Sequence, residues 1–507
     1  MVEASKAGTG HGRLIAGLGA AAFLLYLCTL APGLLWGDSA RFADRSIGYL
    51  PGAEPGEHHL RNLVGRLAND LPIRTVPWRQ NLVSAIFGAL AVAQLASVVL
   101  FLGGSARGAT VAAAALAVSH THWHLSVICE SYTLLELLLL VAMELLLRWQ
   151  ATGRAACVVG AAFVLGLAAS DHLMTLVLGP AVVLFLVVGR PWPGARAAAR
   201  ALPWIPLLAV VFATGYLPAL SGAVRVHLET GRMWSTVFYD LLDLRGQKYL
   251  GGTGALHVLT SYGKLALFTG YQFPLVAGIL GVVGAVSSLR SGARRALLPL
   301  FLFLATFTWC GLYLQQRNVY LMIVAYAAFA VWVGRGAEVV LAKWGTKALA
   351  VLLALSLAAP PLLYAATPTL VRRFHIPVGG AYAVRDMGVR DELRYFLVPW
   401  KNGEDSAERY GRQALTLAPP GSTIVHDFTP GAVLSYLQSR EGIGREVRLM
   451  SIEHALGRND DLGPFVEAKG VRGDVFLADD AEVYRVDRLR ARFDVTPVGP
   501  LLRVRKR

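Results

Sequence analysis

Charged residues are scarce in this sequence. They make up 16% of the 507 residues, whereas 55% of the residues are hydrophobic and the mean hydropathy is +0.50. This composition lies outside the range of soluble globular proteins, because apolar segments of this extent need lipid around them. The sequence therefore predicts an integral membrane protein.

Cysteine is also rare, and its placement gives no sign of a metal site. The four residues Cys28, Cys129, Cys157 and Cys310 lie in or beside apolar runs. No CxxC pair and no Cys/His ligand spacing occurs among them. We therefore interpret them as packing residues.

A nucleic-acid-binding surface is missing as well, although the formal net charge is +15. Such a surface interleaves Arg and Lys with aromatic residues in one stretch. Here the basic residues stand mostly between hydrophobic segments. We predict no nucleic-acid partner and attribute the basic excess to membrane orientation and to a basic C-terminal tail.

What the sequence does have is a series of apolar runs near the 20 or so residues that one span requires. We predict about eleven membrane-spanning helices, near residues 14–35, 80–102, 108–127, 131–148, 155–170, 172–189, 202–220, 257–286, 296–314, 319–334 and 347–366. The first run follows Lys6 and Arg13 and lacks a convincing cleavage site, so it is read as a retained span rather than a signal peptide.

Charge asymmetry predicts the orientation. If the N-terminus is cytoplasmic, the inner segments carry fourteen Lys and Arg against Glu3 and Glu338, whereas residues 37–78 carry five Arg and five acidic residues. The positive-inside rule then places the N-terminus in the cytoplasm. An odd number of spans puts the C-terminus outside the cytoplasm, together with the loops 37–78 and 221–256.

Composition changes near residue 368, where charged residues become frequent. Short β-like runs follow at 422–428, 446–452, 474–478 and 493–504, with a helical pattern at 431–440. The sequence thus predicts two domains: a transmembrane module at 1–367 and a small soluble extracytoplasmic α/β domain at 368–507.

Asp38 is the first candidate for chemistry, because it stands at the outer end of the first span with Arg41 and Asp44 on the next turn. A carboxylate there can take a proton from an acceptor while a lipid-borne leaving group stays in the bilayer. The alternative is structural: Asp38 and Ser39 are common N-cap residues and could simply begin a short helix.

A second group of candidates follows the third span. His120, His122 and His124 alternate along the chain, so they could share a metal only in extended or irregular backbone, and we predict no metal site. For Glu130, which precedes a long apolar run, a structural role and a position facing a polar cavity both remain open. For Asp171-His172, and for His58 and His59, a satisfied turn pair and a substrate contact both remain open.

Cations that could hold a lipid phosphate occur in two other places. Arg225 and Lys248 lie in the second long loop, and Arg317 lies in a short turn between two spans. Guanidinium and ammonium groups are the usual partners of phosphate.

Several motifs, taken in order, resemble a known family. They are TLAPGLLWGDS, EPGEHHLRNLVGRL, WRQNLVSAIFGALAV, WHLSVICESYTL and GLAASDHL, followed near the C-terminus by LVPWKNGEDSAERYGRQALTLAPPGSTIVHDFTPGAVLSYLQ. They resemble a family of polytopic proteins that includes the eukaryotic O-mannosyltransferase of plexin-type IPT domains and is similar to C-superfamily (GT-C) glycosyltransferases.

The resemblance implies a fold, a donor and site residues. The fold is a multi-spanning GT-C-like module, and the donor is a polyprenyl-phosphate sugar, with mannose as the family-based expectation. Asp38 matches the catalytic acid of the first outer loop, while Glu130 with Tyr132 and His172 match further family positions. The chain departs from the pattern at Arg41 and at 54–59, where the family often has an acid and His-Pro-Pro-Gly.

We therefore predict a membrane glycosyltransferase that acts on an extracytoplasmic protein or glycan. Asp38 is assigned to catalysis, Arg225, Lys248 and Arg317 to the lipid phosphate, and a further set to substrate binding: Trp36, Arg41, Asp44, His58, His59, Glu130, Tyr132 and His172. No cofactor or metal is expected, because the leaving group is already a phosphate. The alternatives are a flippase of lipid-linked sugars and a non-catalytic assembly subunit.

Overall fold

The computed structural model describes residues 2–52, 57–189, 204–242, 254–313, 318–376, 389–457, 461–470 and 474–507. The helices of the N-terminal part are α1 (Val2–Cys28), α2 (Asp38–Ser46), α3 (His59–Ala68), α4 (Val76–Phe101), α5 (Ala106–Ala117), α6 (His120–Ser126), α7 (Tyr132–Thr152), α8 (Ala155–Asp171), α9 (Met174–Val177) and α10 (Gly179–Val188). They continue with α11 (Trp204–Gly215), α12 (Leu217–Thr230), α13 (Trp234–Leu241), α14 (Ala255–Gln272), α15 (Val276–Arg290), α16 (Leu297–Leu312), α17 (Asn318–Leu321) and α18 (Ile323–Arg373).

Within these described ranges, four helices are long and apolar enough to cross a bilayer. They are Gly10–Cys28, Val76–Phe101, Arg294–Leu312 and Ile323–Arg373, and two bent helix pairs raise the number to six if each pair is one span. Three shorter apolar helices accompany them. The polytopic helical class is thus confirmed, while the number of eleven spans stays a prediction.

Several predicted spans are broken in the structure. The run 257–286 is not one helix: α14 and α15 are bent by 111° at a break that contains Pro274, which cannot continue a helical hydrogen-bond ladder. The pair α11 and α12 bends by 74° just before Pro218. The run 108–127 divides into α5 and α6, with Ser119 preceding α6.

The longest helix, α18, contains the predicted span 347–366 and most of the span 319–334, whose first residues belong to α17. Its 51 residues include a kink at Gly345, whose φ of +77° is a backbone conformation that glycine adopts without strain. Close approach to α15 depends on small residues: a Cβ at Gly284 would lie 1.8 Å from the Trp332 carbonyl oxygen, and one at Gly336 2.0 Å from that of Leu280. Such contacts are typical of helices packed within a bilayer.

The C-terminal part forms a small α/β domain. Its helices are α19 (Glu392–Leu397), α20 (Ser406–Leu417), α21 (Phe428–Glu441), α22 (Ile452–Leu456), α23 (Gly463–Gly470) and α24 (Val486–Arg490). Its strands are β1 (Thr423–His426), β2 (Arg448–Ser451), β3 (Val475–Leu477), β4 (Phe493–Val498) and β5 (Leu501–Lys506), in the order β2-β1-β3-β5-β4.

The strands β1, β2 and β3 each lie inside one of the first three predicted β-like runs, and the fourth run needs correction. Residues 493–504 do not form one strand, because the chain turns at Gly499, with φ +59°, and β4 pairs antiparallel with β5. The strands β2, β1 and β3 run parallel, as expected when a helix connects successive strands.

The C-terminal domain packs on the end of the helical module that carries the segment between α1 and α4. The Lys401 amide donates to the Thr29 carbonyl oxygen at 2.9 Å, and the Tyr271 hydroxyl donates to that of Leu397 at 3.0 Å. The rings of Trp123 and Trp400 lie 5.5 Å apart. The short helices α2 and α3 therefore lie at the same end as the C-terminal domain.

Candidate functional site

Asp38 is the first residue of α2. Gly37, with a φ of +60°, occupies the N-cap position, so the interpretation of Asp38 as the N-cap residue is wrong. The Asp38 side chain is 49% exposed, and its Oδ1 lies 3.9 Å from Nη1 of Arg41. A carboxylate at a helix N-terminus is favoured by the helix dipole. Asp38 is therefore an acidic side chain that solvent or a ligand can reach.

Four other predicted residues lie in the same region of the structure as Asp38. The charges of Glu130 and Asp38 both act on the Tyr132 hydroxyl. The Tyr132 ring lies 5.3 Å from the ring of His172, which lies 5.0 Å from the ring of His58. We call these five residues, Asp38, His58, Glu130, Tyr132 and His172, the α2 cluster. Residues that are 134 positions apart in sequence thus meet at one place.

The histidines of the α2 cluster are uncharged at neutral pH. Nδ1 of His58 donates to the Asp171 carbonyl oxygen at 2.7 Å, which leaves Nε2 as an acceptor. Burial and the neighbouring His172 and Arg41 hold the pKa of His58 well below its ordinary value. His58 therefore serves as a neutral hydrogen-bond partner rather than as a cation for phosphate.

The buried guanidinium of Arg61 supports the cluster from behind, and sequence reasoning did not single it out. Its nitrogens donate to the Glu130 carbonyl oxygen at 3.1 Å, to Gln80 Oε1 at 2.8 Å and to Cys129 Sγ at 3.0 Å. The guanidinium also lies 5.7 Å from the centre of the Phe42 ring. The sequence pattern that could have indicated Arg61 is its place in the motif HHLRNLVGRL, four residues before Gly65 and hence on the same helix face.

Other predicted substrate-binding residues have their partners elsewhere. The Trp36 indole donates to Ser406 Oγ at 2.9 Å, and Asp44 Oδ1 accepts from Arg440 Nε at 2.5 Å. His59 Nδ1 lies 2.9 Å from the Tyr49 hydroxyl, and burial together with Arg45 lowers the pKa of His59 to about 4. These three side chains are held by the protein itself.

Arg41 and Arg225 lie at the edges of the site. The Arg41 guanidinium lies 6.0 Å from the centre of the Phe428 ring. Arg225, on α12, donates to the Pro51 carbonyl oxygen at 3.2 Å and to Glu229 at 2.9 Å. It borders a cavity of about 430 Å³ whose lining also includes Asp44, Arg45, Tyr49, Glu57 and Arg440. The other two predicted phosphate ligands, Lys248 and Arg317, lie outside the described residues.

The three alternating histidines do not converge. Nδ1 of His122 lies 2.6 Å from Oε2 of Glu136, and both side chains are fully buried. His120 and His124 stack at 5.9 Å, and the Tyr320 hydroxyl lies 3.3 Å from Nε2 of His124. We call His120, His122, His124 and Glu136 the α6 cluster. In the part of the chain that the structure describes, no group of three or more His, Cys, Asp or Glu is arranged to hold a metal ion.

Comparison with known sequences supports the resemblance seen in the motifs. Residues 53–193 match the model of the protein O-mannosyl-transferase TMEM260 N-terminal domain. A protein O-mannosyl-transferase TMEM260 of Mus musculus is 29% identical over 237 residues, which are 45% of this chain and 31% of the mouse protein. The chain thus spans about a third of the length of that relative. The resemblance is confirmed.

Comparison with solved structures identifies the fold. The structure of ArnT from Cupriavidus metallidurans bound to undecaprenyl phosphate matches with a TM-score of 0.58 at 15% identity, and covers 97% of both chains. The apo ArnT structure matches with a TM-score of 0.55 at 16% identity, covering 98% of both chains. The chain has the GT-C fold. This multi-pass GT-C fold includes the C-terminal α/β domain, since the match extends over almost all of the sequence.

Proposed function

We propose that this protein is a membrane glycosyltransferase. It would transfer a sugar, mannose being the first to test, from a polyprenyl-phosphate donor to a protein hydroxyl on the extracytoplasmic side of the membrane. The N-terminus would be cytoplasmic, residues 1–367 would form the transmembrane module, and residues 368–507 the extracytoplasmic domain. Support comes from the O-mannosyl-transferase named among its relatives and from the GT-C neighbour bound to undecaprenyl phosphate.

The α2 cluster is the observation that carries this proposal. The charge of the half-exposed Asp38 carboxylate acts on the Tyr132 hydroxyl, as that of Glu130 does, and the Tyr132 ring lies beside His172, which lies beside His58. Sugar hydroxyls need this mixture of hydrogen-bond donors and acceptors, and an acceptor hydroxyl needs a base. A through-going transport pathway needs neither a base nor a site at one end of the helical module.

The proposed reaction is an inverting displacement. The acceptor oxygen attacks C1 of the sugar while Asp38 takes the acceptor proton, so that a new C1–O bond forms. The bond between C1 and the phosphate oxygen breaks, and its electron pair leaves with the polyprenyl phosphate. The anomeric configuration inverts because attack and departure occur on opposite faces of the ring.

The remaining residues would hold the two substrates. We assign Tyr132, His58 and His172 to the sugar hydroxyls, because they offer neutral hydrogen-bond donors and acceptors. Glu130 is assigned with them as an acid whose charge acts on Tyr132. Arg225 is assigned to the leaving phosphate, together with Lys248 and Arg317, since a fixed cation stabilises developing negative charge. No metal is assigned, because a phosphate leaving group already carries its charge.

Reconstitution in liposomes tests the proposal. Radiolabelled polyprenyl-phosphate hexoses would be supplied with an extract of envelope proteins, and label would be measured in protein and released by alkaline β-elimination. Transfer of label to protein in an O-linked form supports the proposal. Movement of labelled lipid across the bilayer without transfer would instead indicate a flippase, and binding without either event a non-catalytic subunit.

A further inference from the structure

The helix that carries Asp38 lies against α21 of the C-terminal domain. At the start of α2, the Gly37 amide donates to the Thr429 carbonyl oxygen at 3.3 Å. At its end, Arg440 donates from Nε to Asp44 Oδ1 at 2.5 Å and from Nη2 to the Asp44 carbonyl oxygen at 3.2 Å. The two helices therefore run side by side in the same direction, tied near both ends of α2.

A third set of contacts with the C-terminal domain is made by Trp36, the residue before the Gly37 N-cap. The Trp36 indole donates to Ser406 Oγ, and its ring lies 5.1 Å from the Tyr410 ring. On another side the Arg390 guanidinium lies 4.8 Å from the centre of the Trp36 ring and pairs with Glu392. Trp36 is 5% exposed, so little of its surface remains open to solvent.

These contacts matter because α2 is too short to hold its position without tertiary contacts. It is a nine-residue helix, shorter than the roughly 12 residues at which isolated helices become even marginal in water. The helical module contacts its middle and end through Phe42 and Ser46. The C-terminal domain contacts it at Trp36, Gly37 and Asp44. Asp38 lies between the first and the last of these points.

We propose that the C-terminal domain is a positioning element for Asp38, and that Arg440 is a positioning residue of the active site. This inference rests on the proposed glycosyl transfer. Arg440 does not touch the sugar; by holding the end of α2 it fixes the rotation and tilt of the helix and hence the direction of the Asp38 carboxylate. A shift of about 1 Å in a reacting group can lower a rate by about 100-fold.

Arg440→Gln is the test variant, and Arg412→Gln is its matched control. Arg412 pairs with Glu441, the last residue of the same helix α21, at 2.5 Å, and also with Glu408, and its side chain is 44% exposed against 36% for Arg440. Both substitutions thus remove a surface ion pair of α21, but only the first removes a contact with α2. Two further variants, Arg440→Lys and the charge exchange Asp44→Arg with Arg440→Asp, test for rescue.

Two measurements separate this inference from the proposed function. The first is hydrogen exchange of the α2 amides, which needs no activity: exchange should rise in Arg440→Gln, stay unchanged in Arg412→Gln and recover in the charge exchange. The second is the transfer assay, in which kcat should fall about tenfold or more in Arg440→Gln, while the KM for the donor lipid stays within about twofold.

The possible outcomes are distinct. If α2 exchange is the same in Arg440→Gln and Arg412→Gln, the positioning role is overturned whatever the activity. If α2 exchange rises but kcat is unchanged, the contact is structural only and the inference also fails. If the wild type transfers no sugar, the proposed function fails and the positioning inference, which rests on it, is withdrawn, although hydrogen exchange still shows whether Arg440 holds α2.

Discussion

Two groups of acids and histidines occupy the helical module, and they differ in what surrounds them. In the α2 cluster, the side chain of Asp38, the first residue of the short helix α2, is 49% exposed. The α6 cluster holds a His122–Glu136 pair in which neither side chain is exposed. The second group has three histidines and an acid within 17 residues, but the alternation of the histidines already argued against a shared metal.

The difference shows that solvent exposure and existing hydrogen bonds indicate a binding site better than residue type does. In the α6 cluster the strongest acceptor, Glu136, is already hydrogen-bonded to His122. The pair therefore satisfies buried polar groups inside the helical module. In the α2 cluster the acid is near the surface and the histidines are neutral. If this comparison is correct, substitutions in the first group should change activity and those in the second should change stability.

The largest expected effect is that of Asp38→Asn. The amide cannot take a proton, so kcat for glycosyl transfer should fall by about 100-fold to 10,000-fold, while donor-lipid binding and thermal stability remain those of the wild type. Transfer and lipid binding would be measured on the same proteoliposomes. Asp70→Asn, an exposed acid in the same loop, is the control and should retain full activity. Equal transfer by both variants would remove Asp38 from the mechanism.

Arg61→Met should have the next largest effect, on stability as well as on activity. It leaves the Glu130 and Gln80 oxygens without their donors in a buried place, which should lower the free energy of unfolding by about 3 kcal/mol. Thermal melting in detergent measures the loss. Arg66→Met on the same helix is the control, since Arg66 is exposed and makes a single bond to the Tyr49 carbonyl oxygen. Similar melting of the two variants would contradict the supporting role of Arg61.

Much of this arrangement could be predicted from the sequence, because it depends on local patterns. Apolar runs predicted the helical module, and composition near residue 368 predicted a separate α/β part. The order of motifs brought together Asp38, Glu130 and His172 as candidates, and the structure places them around Tyr132.

The rest depended on long-range contacts that no local pattern contains. Trp36 and Asp44 resembled ligand-binding residues, yet they contact residues 370 and 396 positions away. The predicted span 257–286 is bent at Pro274, and the last two predicted spans lie largely in one helix with a kink at Gly345. The apolar composition is the same on both sides of each point, so it could not reveal them. Arg61 looked like one more loop charge until its buried partners were known.

Glu136→Gln would sharpen the comparison from the other side. Glutamine keeps an oxygen for His122 but loses the charge, and the free energy of unfolding should fall by about 2 kcal/mol because the buried bond weakens. Donor binding and kcat should stay within about twofold of the wild type. Glu408→Gln, at an exposed pair with Arg412, should change stability by less than about 0.5 kcal/mol. A folded Glu136→Gln protein without activity would place the α6 cluster in the reaction.

Lys401, in the C-terminal domain close enough for its charge to act on the α6 cluster, predicts a pH dependence of stability. Burial lowers the pKa of Lys401 from its ordinary 10.5 to about 7, and its charge acts on His120. Between pH 7 and 10.5 the unfolded chain holds a proton that the folded chain has lost, so stability rises with pH, by about 1.4 kcal/mol per unit at most. Below pH 7 both states are protonated and this dependence ends.

Lys401→Met should remove that slope. Melting temperatures measured from pH 6 to 9 should rise above pH 7 in the wild type and stay flatter in the variant, while Lys506→Met, at an exposed position of β5, should follow the wild type. A wild-type melting temperature that does not rise above pH 7 would show that Lys401 keeps an ordinary pKa. The α6 cluster would then border a charged rather than a neutral amine at neutral pH.

The smallest expected effect is that of Tyr132→Phe, which tests whether the α2 cluster works as one site. Phenylalanine keeps the ring contacts with His172 and Tyr320 but removes the hydroxyl on which Asp38 and Glu130 act. One hydrogen bond to a sugar is worth about 1 kcal/mol, so the KM for the donor should rise about fivefold with little change in stability. Tyr262→Phe, which loses an exposed bond to Thr308, is the control. An unchanged KM would mean that Asp38 acts beside Tyr132 without sharing a ligand with it, and the five residues would then be neighbours rather than one binding site.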